Sequence, residues 1–212
     1  MRIGKSAPLL VLCLTWVSSA PAIDCREYPT AYVPSSPIVI NLDDGPYRLT
    51  GAESPVTFDF YASGQMVRMG WTAADAAAAF LCLDRDASGS IENGTELFGN
   101  VTPLNDGTRA RNGFDVLVEL DTNRDLIIDD QDPIWSELVL WTDANHDAIS
   151  QFDELMPIAE SRVAAIGLDY HWNGRVDPSG NALRYQSKVW IGTGNERPTP
   201  RPVYDVFFVP VI

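Results

Sequence analysis

Acidic and small polar residues alternate in three separate stretches of this chain. The first stretch reads LCLDRDASGSIENGTELFGN over residues 81–100. Two later stretches, LDTNRDLIIDDQDP and TDANHDAISQFDE, repeat the alternation before residue 155. Segments this polar cannot form a buried helix or a core strand, so we expect each one to be a loop. Apolar segments follow all three, which places the loops within a folded region.

The spacing of these acids is typical of a loop that wraps around a calcium ion. Ca²⁺ takes six to eight oxygen ligands, and the helix–loop–helix site supplies them from loop positions 1, 3, 5, 7 and 9 and from a carboxylate at position 12. Position 7 contributes its backbone carbonyl, and position 6 is normally glycine because the chain turns sharply there. The alternative for any one stretch is a solvated acidic loop that binds nothing. Three matches close together favour calcium.

The predicted calcium loops cover residues 84–96, 121–132 and 143–154, and we call them loops one, two and three. Loop one has Gly89 at position 6, and its closing acid falls one residue late, with Gly94 available to absorb the extra residue. The predicted ligands are Asp84, Asp86, Ser88, Ser90 and Glu96 in loop one; Asp121, Asn123, Asp125, Ile127 (by its carbonyl) and Asp132 in loop two; and Asp143, Asn145, Asp147, Ile149 (by its carbonyl) and Glu154 in loop three.

Loops two and three depart from the usual pattern at position 6. They carry Leu126 and Ala148 where glycine normally supplies the sharp turn. A side chain in the left-handed conformation costs roughly 1–2 kcal/mol. We therefore expect these two loops either to hold strain or to bind calcium more weakly.

The charge of the chain excludes some partners. Its formal net charge is −14 at pH 7. Nucleic-acid binding requires a basic face for the phosphates, and an anionic membrane surface requires the same. The charge therefore predicts neither nucleic-acid binding nor binding to an anionic membrane surface. We also expect no membrane span.

The first 22 residues are typical of an export signal. Arg2 and Lys5 precede an apolar run, 9–17, that is too short to span a membrane, and Ala20-Pro21-Ala22 forms a small-residue cleavage site. We predict a secreted or periplasmic protein with a leader segment, 23–36, and one domain, 37–212. Cys25 and Cys82 would remain, either as one disulfide or as two thiols.

The order of predicted elements is typical of an α+β fold. We expect short N- and C-terminal strands around a helical section that holds three EF-hand-like calcium loops. The predicted helices cover residues 72–80, 114–120, 134–141 and 154–162. The predicted strands include residues 38–40, 56–58, 165–170, 184–191 and 203–209.

The same residues carry a resemblance to a known family. LDRDASGSIENGTELFGN, NGFDVLVELDTNRDLIIDDQD, LVLWTDANHDAISQFDEL and AAIGLDY resemble the EF-hand-like calcium-binding module associated with repeats-in-toxin proteins, in its stand-alone exported bacterial form. The resemblance covers about residues 36–209, and ELFG after loop one is its most specific mark. It implies a calcium-loaded α+β module and does not imply an enzyme. We expect a structural or interaction role, no catalytic residues, and an extracellular or periplasmic protein or glycan of unknown identity as partner.

Two other functions stay open at this point. One branch of that family is a self-processing module that cuts an Asp-Pro bond before its start when calcium arrives, but this chain has Ser36-Pro37 there. Asp132-Pro133 and Asp177-Pro178 are better explained as a loop closure and a turn. The second alternative is a calcium-dependent adhesion or carbohydrate-binding module, with His171-Trp172 as a candidate ligand contact. Residues near Asp43 and Asp59 suggest a vestigial fourth calcium site.

Overall fold

Runs of β-branched and aromatic residues form strands, which make up most of the regular secondary structure in the described residues. The computed structural model describes residues 35–192 and 197–211, which belong to one compact unit, Pro34–Ile212. The predicted signal peptide, leader residues 23–34 and Cys25 lie outside the described residues. The strands are β1 (Ile38–Asn41), β2 (Val56–Phe58), β3 (Val67–Met69), β4 (Ala78–Cys82), β5 (Ile127–Ile128), β6 (Val139–Trp141), β7 (Leu155–Pro157), β8 (Val163–Gly167), β9 (His171–Val176), β10 (Ala182–Ile191) and β11 (Thr199–Phe207).

Helical structure is limited in the described residues. The α-helix α1 spans Gly113–Leu120, and three short 3₁₀ helices span Pro133–Ser136, Phe152–Glu154 and Ile158–Glu160. The Asn112 side chain caps α1, because its Oδ1 accepts the N–H groups of Phe114 at 2.9 Å and Asp115 at 3.1 Å. This cap satisfies two backbone donors that the first helical turn leaves free. The predicted helix at residues 114–120 is confirmed.

Nine of the described strands form one antiparallel sheet. Its order is β5-β8-β10-β11-β1-β4-β6-β7, and β9 pairs with β10 on the same side as β8. The longest pairing joins β10 to β11 from Ala182↔Phe207 to Ile191↔Thr199. Strands β2 and β3 pair with each other in a separate two-stranded sheet. The predicted strands at residues 38–40, 56–58 and 184–191 are confirmed.

The centre of the large sheet is buried on both faces. Alternate residues of β1 and β4 point to opposite sides, and both strands are buried along their whole length. On one face, Ile38, Ile40 and Leu81 belong to the main apolar core together with Phe114 and Leu117 of α1. The other face carries an aromatic cluster, in which Trp71 contacts the rings of Phe58, Phe60, Phe80, Trp141 and Phe208.

The predicted α+β class, with a helical section around the loops, is wrong because the protein is mostly β. Residues 78–82 form the central strand β4, whereas helix propensity favoured a helix over residues 72–80. The segment 134–141 is divided between a 3₁₀ turn and β6, and 154–162 contains the edge strand β7. These segments are too short to be stable helices alone. Strand partners on β1, β4 and β6 therefore decide their conformation.

No helix among the described residues is long and apolar enough to cross a membrane. Cys82 is a free thiol in β4, completely buried, and its burial raises the pKa of the thiol well above its ordinary value.

Candidate metal centres

The three acidic loops have the same backbone conformation. Residues at loop positions 4 and 6 adopt positive φ in all three, although only one of the six is glycine. The φ angles are 58° for Ala87 and 84° for Gly89 in loop one, 60° for Arg124 and 65° for Leu126 in loop two, and 62° for His146 and 56° for Ala148 in loop three. Residues with a side chain rarely adopt positive φ. This backbone conformation therefore costs conformational free energy at each of the five non-glycine positions.

The acid at position 1 organises the start of each loop. Asp84 Oδ2 accepts the Gly89 N–H at 2.8 Å. The same bond from position 6 to position 1 recurs in the other loops. It runs from Leu126 to Asp121 Oδ2 at 2.9 Å and from Ala148 to Asp143 Oδ2 at 2.9 Å.

Positions 3 and 5 bend the chain in the same way. Each side-chain oxygen accepts the N–H two residues further on, as in the turns that Asp, Asn and Ser favour. Position 3 accepts from position 5 through Asp86 (3.1 Å), Asn123 (3.0 Å) and Asn145 (3.1 Å). Position 5 accepts from position 7 through Ser88 (3.2 Å), Asp125 (2.9 Å) and Asp147 (2.8 Å). Oxygen atoms therefore follow one another along the inner side of each loop.

The closing acids complete the repeat. Each accepts N–H groups from loop positions 2 and 9, which holds the end of the loop against its beginning. The bonds to Glu96 come from Arg85 (3.4 Å) and Glu92 (2.8 Å), those to Asp132 from Thr122 (2.8 Å) and Asp129 (3.4 Å), and those to Glu154 from Ala144 (2.8 Å) and Gln151 (3.4 Å). Glu96 makes the same pair of bonds as the others despite the extra residue in loop one.

Several loop carboxylates are buried and form no ion pair with a basic side chain of the described residues, although the charges of Glu96 and Arg85 attract each other at longer range. Glu96 is 2% exposed, Asp121 7%, Asp132 2% and Asp143 1%. The ion pairs among the described residues are Arg48–Asp75, Arg111–Asp115 and Arg201–Asp44, and none includes a loop acid. Buried charges are normally paired or coordinate a metal. The donor set therefore fits a cation that the chain itself does not supply.

Two of these buried acids have perturbed pKa values. Burial raises the pKa of Glu96, and the neighbouring Glu92 carboxylate raises it further. Burial also raises the pKa of Asp143, and the Glu154 carboxylate acts in the same direction. Backbone N–H groups oppose both shifts.

Loop one brings its carboxylates closest together. One carboxylate oxygen from each of Asp84, Asp86 and Glu96 lies within 4.8 Å of the others. In the part of the chain that the structure describes, this is the one group of at least three acidic, cysteine or histidine side chains that meets this distance. Loops two and three have asparagine at position 3, so amide oxygens of Asn123 and Asn145 take the place of a carboxylate there.

Comparison with known proteins finds one family model that covers all three loops and nearly all of the described strands. Residues 38–208 match the SPM domain. The chain belongs to the SPM domain family. It is also similar to the iron-regulated protein FrpA of Neisseria meningitidis serogroup C, with 35% identity over 152 residues. That match covers 71% of this chain and 14% of FrpA, so the chain spans only a small part of its relative.

Loops one and three of the SPM domain contact each other at position 8. The Ser150 Oγ accepts the Ile91 N–H at 2.7 Å and lies 3.3 Å from the Ile91 carbonyl, to which it donates. Loop two is attached differently, because its positions 7 and 8 form β5 and pair with β8 at Ile127↔Gly167 and Ile128↔Ile166. The side-chain link through Ser150 joins residues far apart in sequence, so the spacing of the acids gave no sign of it.

Two buried tryptophans support loop three of the SPM domain. Trp71 donates its indole N–H to Asp143 Oδ2 at 2.7 Å, and Trp141 donates to Glu154 Oε2 at 3.2 Å. The spacing of the acids does not predict this role of Trp71 and Trp141. Trp141 stands two residues before Asp143, which was the available signal. His146 adds a third tether through its contacts with backbone carbonyls of Thr72 (2.7 Å) and Ser54 (3.0 Å).

The suggested fourth site has only the start of a loop. Asp59 accepts the N–H groups of Ser63 at 3.1 Å and Gly64 at 2.7 Å, and Ala62 and Gly64 have φ angles of 50° and 74°. This repeats the turn of the three loops, but Gly70 stands where a closing acid would be. Asp43 accepts the Gly45 N–H in a tight turn elsewhere, and Asp44 pairs with Arg201.

The three X-Pro peptide bonds that self-processing could involve lie in different surroundings. Ser36 is 1% exposed, and its N–H donates to Asn100 Oδ1 at 2.9 Å, while the Pro37 carbonyl accepts the Val206 N–H at 2.9 Å. Asp132 closes loop two and Pro133 begins a 3₁₀ helix. Asp177-Pro178 lies in a turn, where the Asp177 carboxylate accepts the Asn181 N–H at 2.8 Å.

Proposed function

We propose that this SPM domain is an exported calcium-binding module in which calcium orders the fold for a structural or interaction role. The observation that carries the proposal is the set of buried loop acids that form no ion pair, held in three loops of one repeated geometry. A bound divalent cation would offset the repulsion among these carboxylates and contribute its binding free energy to folding.

The chemistry of the donors favours calcium over other metals. The fifteen ligand positions predicted from the sequence offer carboxylate, amide, hydroxyl and backbone carbonyl oxygens and no thiolate or imidazole. Oxygen-only sites suit hard cations, whereas zinc is held by cysteine and histidine. Mg²⁺ demands near-ideal octahedral geometry and keeps several waters, whereas Ca²⁺ accepts the irregular, ligand-rich arrangement that a flexible loop provides.

The loops connect the elements that would respond to calcium. Loop one joins β4 to the segment before α1, loop two leads from α1 into β5, and loop three joins β6 to β7. The position 1 acids hold the turns, and the closing acids hold each loop end against its start. Ordering of the loops would therefore fix the edges of the large sheet and the position of α1.

The proposal is a binding module and not an enzyme. Ser36 has no carboxylate to take part in cleavage at the position where the self-processing branch has aspartate. We include in the proposal a secreted or periplasmic location, an association with repeats-in-toxin proteins, and an extracellular protein or glycan as partner. FrpA, the relative described above, is named as an iron-regulated protein, and its name says nothing about calcium.

Isothermal titration calorimetry with calcium tests this function. We expect up to three sites on residues 23–212, and the loss of one site in each of Asp84→Asn, Asp121→Asn and Asp143→Asn. Asp130→Asn and Asp153→Asn are matched controls, since both acids are exposed and lie in loops two and three outside the predicted ligand sets. Absence of heat from calcium, or an equal loss of sites in the control variants, would contradict the proposal.

A further inference from the structure

A groove of about 850 Å³ lies at one edge of the large sheet, where residues of β6, β7 and loop three line it. Strand β7 ends the order of described strands, so it pairs with β6 on one side and with no described strand on the other. The apolar lining residues of the groove are Leu42, Leu140, Phe152, Leu155, Met156 and Pro157. Apolar grooves of this kind accept the apolar face of a partner segment.

Phe152 is the most exposed large apolar side chain in the part of the chain that the structure describes. It is 92% exposed, and Met156 in the same groove is 48% exposed. The backbone at Phe152 is held in place, because the Glu154 N–H donates to the Gln151 carbonyl at 3.0 Å and the Glu154 carboxylate accepts the Gln151 N–H at 3.4 Å. Phe152 therefore packs little against its own fold but has a fixed position. Exposed apolar surface with a polar rim marks a site of interaction.

The charged groups that line this groove are all negative. They are Asp153, Glu154 and Glu160, with no lysine, arginine or histidine among the described lining residues. None of the three forms an ion pair with a described residue. Glu154 closes loop three, and a bound calcium ion would neutralise it. Asp153 and Glu160 are exposed and lie outside the predicted ligand sets, so both remain available to positive charges on a partner.

Charge distinguishes the molecules that could cover this apolar surface. A second copy of the chain also has a formal net charge of −14, so the two copies repel each other. An anionic membrane surface is repelled for the same reason. A segment with apolar side chains on one face and lysine or arginine beside them complements both the apolar groove and its acids.

We propose that this groove binds an amphipathic, basic segment of another protein when calcium orders loop three. Phe152 and Met156 provide the apolar contacts, and Asp153 and Glu160 attract the cations of the partner. Aromatic residues and methionine are enriched where protein surfaces meet, and the flexible methionine side chain adapts to different partners. The inference rests on the proposed interaction role of the domain, and it specifies the chemistry of the partner.

Fluorescence anisotropy of a labelled peptide tests the proposal on residues 23–212, in about 2 mM calcium and in excess chelator. The probe is a synthetic amphipathic peptide of leucine and lysine. One counterpart carries glutamate in place of lysine, and a second has the residues of the probe in an order that is not amphipathic. We expect saturable binding of the probe in calcium. Binding should be about tenfold or more weaker for each counterpart, and also for the probe in chelator.

Variants show whether the probe binds in this groove. Phe152→Ser should weaken binding of the probe about tenfold or more, because a few central aromatic residues usually dominate an interface. Val118→Ser is the matched control, since Val118 is an exposed apolar residue of α1 that does not line the groove. Asp153→Asn should weaken binding at low salt, and high salt should remove its difference from the wild type.

Four results would overturn the proposal. They are equal affinity of Phe152→Ser and Val118→Ser for the probe, a counterpart that binds as tightly as the probe, equal binding in calcium and in chelator, and sedimentation showing a wild-type dimer that Phe152→Ser abolishes. Calcium calorimetry on the same samples separates this inference from the proposed function. Calcium binding without peptide binding contradicts the inference alone, whereas the absence of calcium binding contradicts both.

Discussion

Leu126 occupies a backbone conformation that glycine usually adopts. Its φ is 65°, its N–H donates to Asp121 Oδ2 at 2.9 Å, and its side chain is 52% exposed. The side chain therefore contributes little packing in return for the strained backbone. The hydrogen bond from the position 6 N–H to the position 1 carboxylate holds the loop in this conformation.

Replacing Leu126 by glycine should stabilise the protein. Relief of the left-handed conformation is worth roughly 1–2 kcal/mol, and the greater freedom of glycine in the unfolded chain removes about 0.4–1 kcal/mol of that gain. We expect a net increase of about 0.5–1 kcal/mol in the free energy of unfolding, measured by urea denaturation with calcium present. Leu126→Ala is the control, since it shortens the side chain but keeps the strain. A glycine variant less stable than the alanine variant would contradict this explanation.

Asp205 is a second residue whose environment has a measurable consequence. It is fully buried on β11, its Oδ2 accepts the Gly113 N–H at 2.6 Å, and its Oδ1 has no partner among the described residues. Burial raises the pKa of Asp205 to about 7, although the Gly113 N–H, the Ser36 hydroxyl and the charge of Arg184 act in the opposite direction. The Asp115 carboxylate adds slightly to the increase.

This pKa shift predicts a specific dependence of stability on pH. The unfolded pKa of aspartate is about 3.9, so the folded state holds the proton more tightly. The stabilisation is complete below about pH 4 and is lost as the pH rises towards about 7. In Asp205→Asn the amide replaces the protonated acid and does not titrate. The stability of the variant relative to the wild type should therefore increase between about pH 4 and 7, by at most roughly 4 kcal/mol.

Urea unfolding across this pH range measures the effect. Both proteins are compared at the same saturating calcium concentration, so that titration of the loop acids cancels in the difference. If the difference in stability between Asp205→Asn and the wild type does not change with pH, the raised pKa of Asp205 is wrong.

At the scale of elements, loops one and three contact each other, whereas loop two contributes a strand to the large sheet. Ser150 Oγ is the link, through its two contacts with the backbone of Ile91. Ser150→Ala would leave the buried Ile91 N–H without a partner, at a cost of about 1–3 kcal/mol. Calcium binding in one loop would then no longer favour the conformation of the other.

We expect Ser150→Ala to reduce the coupling between loops one and three. In the wild type, filling loop one should increase the affinity of loop three by roughly tenfold, within the usual range of coupling energies. The coupling is measured as the change in the calcium affinity of loop three that Asp84→Asn causes. NMR signals from each loop report the binding of calcium. Ser136→Ala, which removes an exposed hydroxyl bonded to Pro133, is the control. Equal coupling in Ser150→Ala and the wild type would show that the loops act independently.

The elements also show what the sequence could and could not predict. The positive φ angles and the carboxylate–amide bonds depend on residues within each loop, so the spacing of the acids placed the three turns at the right residues. The helices expected over residues 72–80, 134–141 and 154–162 were wrong, because strand formation there depends on partners far away in sequence. For the same reason, the tethers from Trp71 and His146 to loop three could not be predicted.

At the scale of the whole molecule, the acidic loops are the part of the fold whose charges most oppose folding. The chain has a formal net charge of −14, and the buried loop acids lie between elements of a single sheet. Without a cation, their repulsion and desolvation oppose folding. With a cation, the same residues would hold β4, β6 and α1 in place. The stability of the molecule should therefore depend on calcium.

Thermal unfolding of residues 23–212 in excess chelator, in about 2 mM calcium and in an equal concentration of magnesium tests this claim most directly. A site with a dissociation constant of about 0.1 mM contributes roughly 2 kcal/mol at that calcium concentration. Three such sites should raise the Tm by about 10 °C or more, and magnesium should not reproduce the increase. The same Tm in calcium and in chelator would mean that the loops fold without the metal, and would contradict the account.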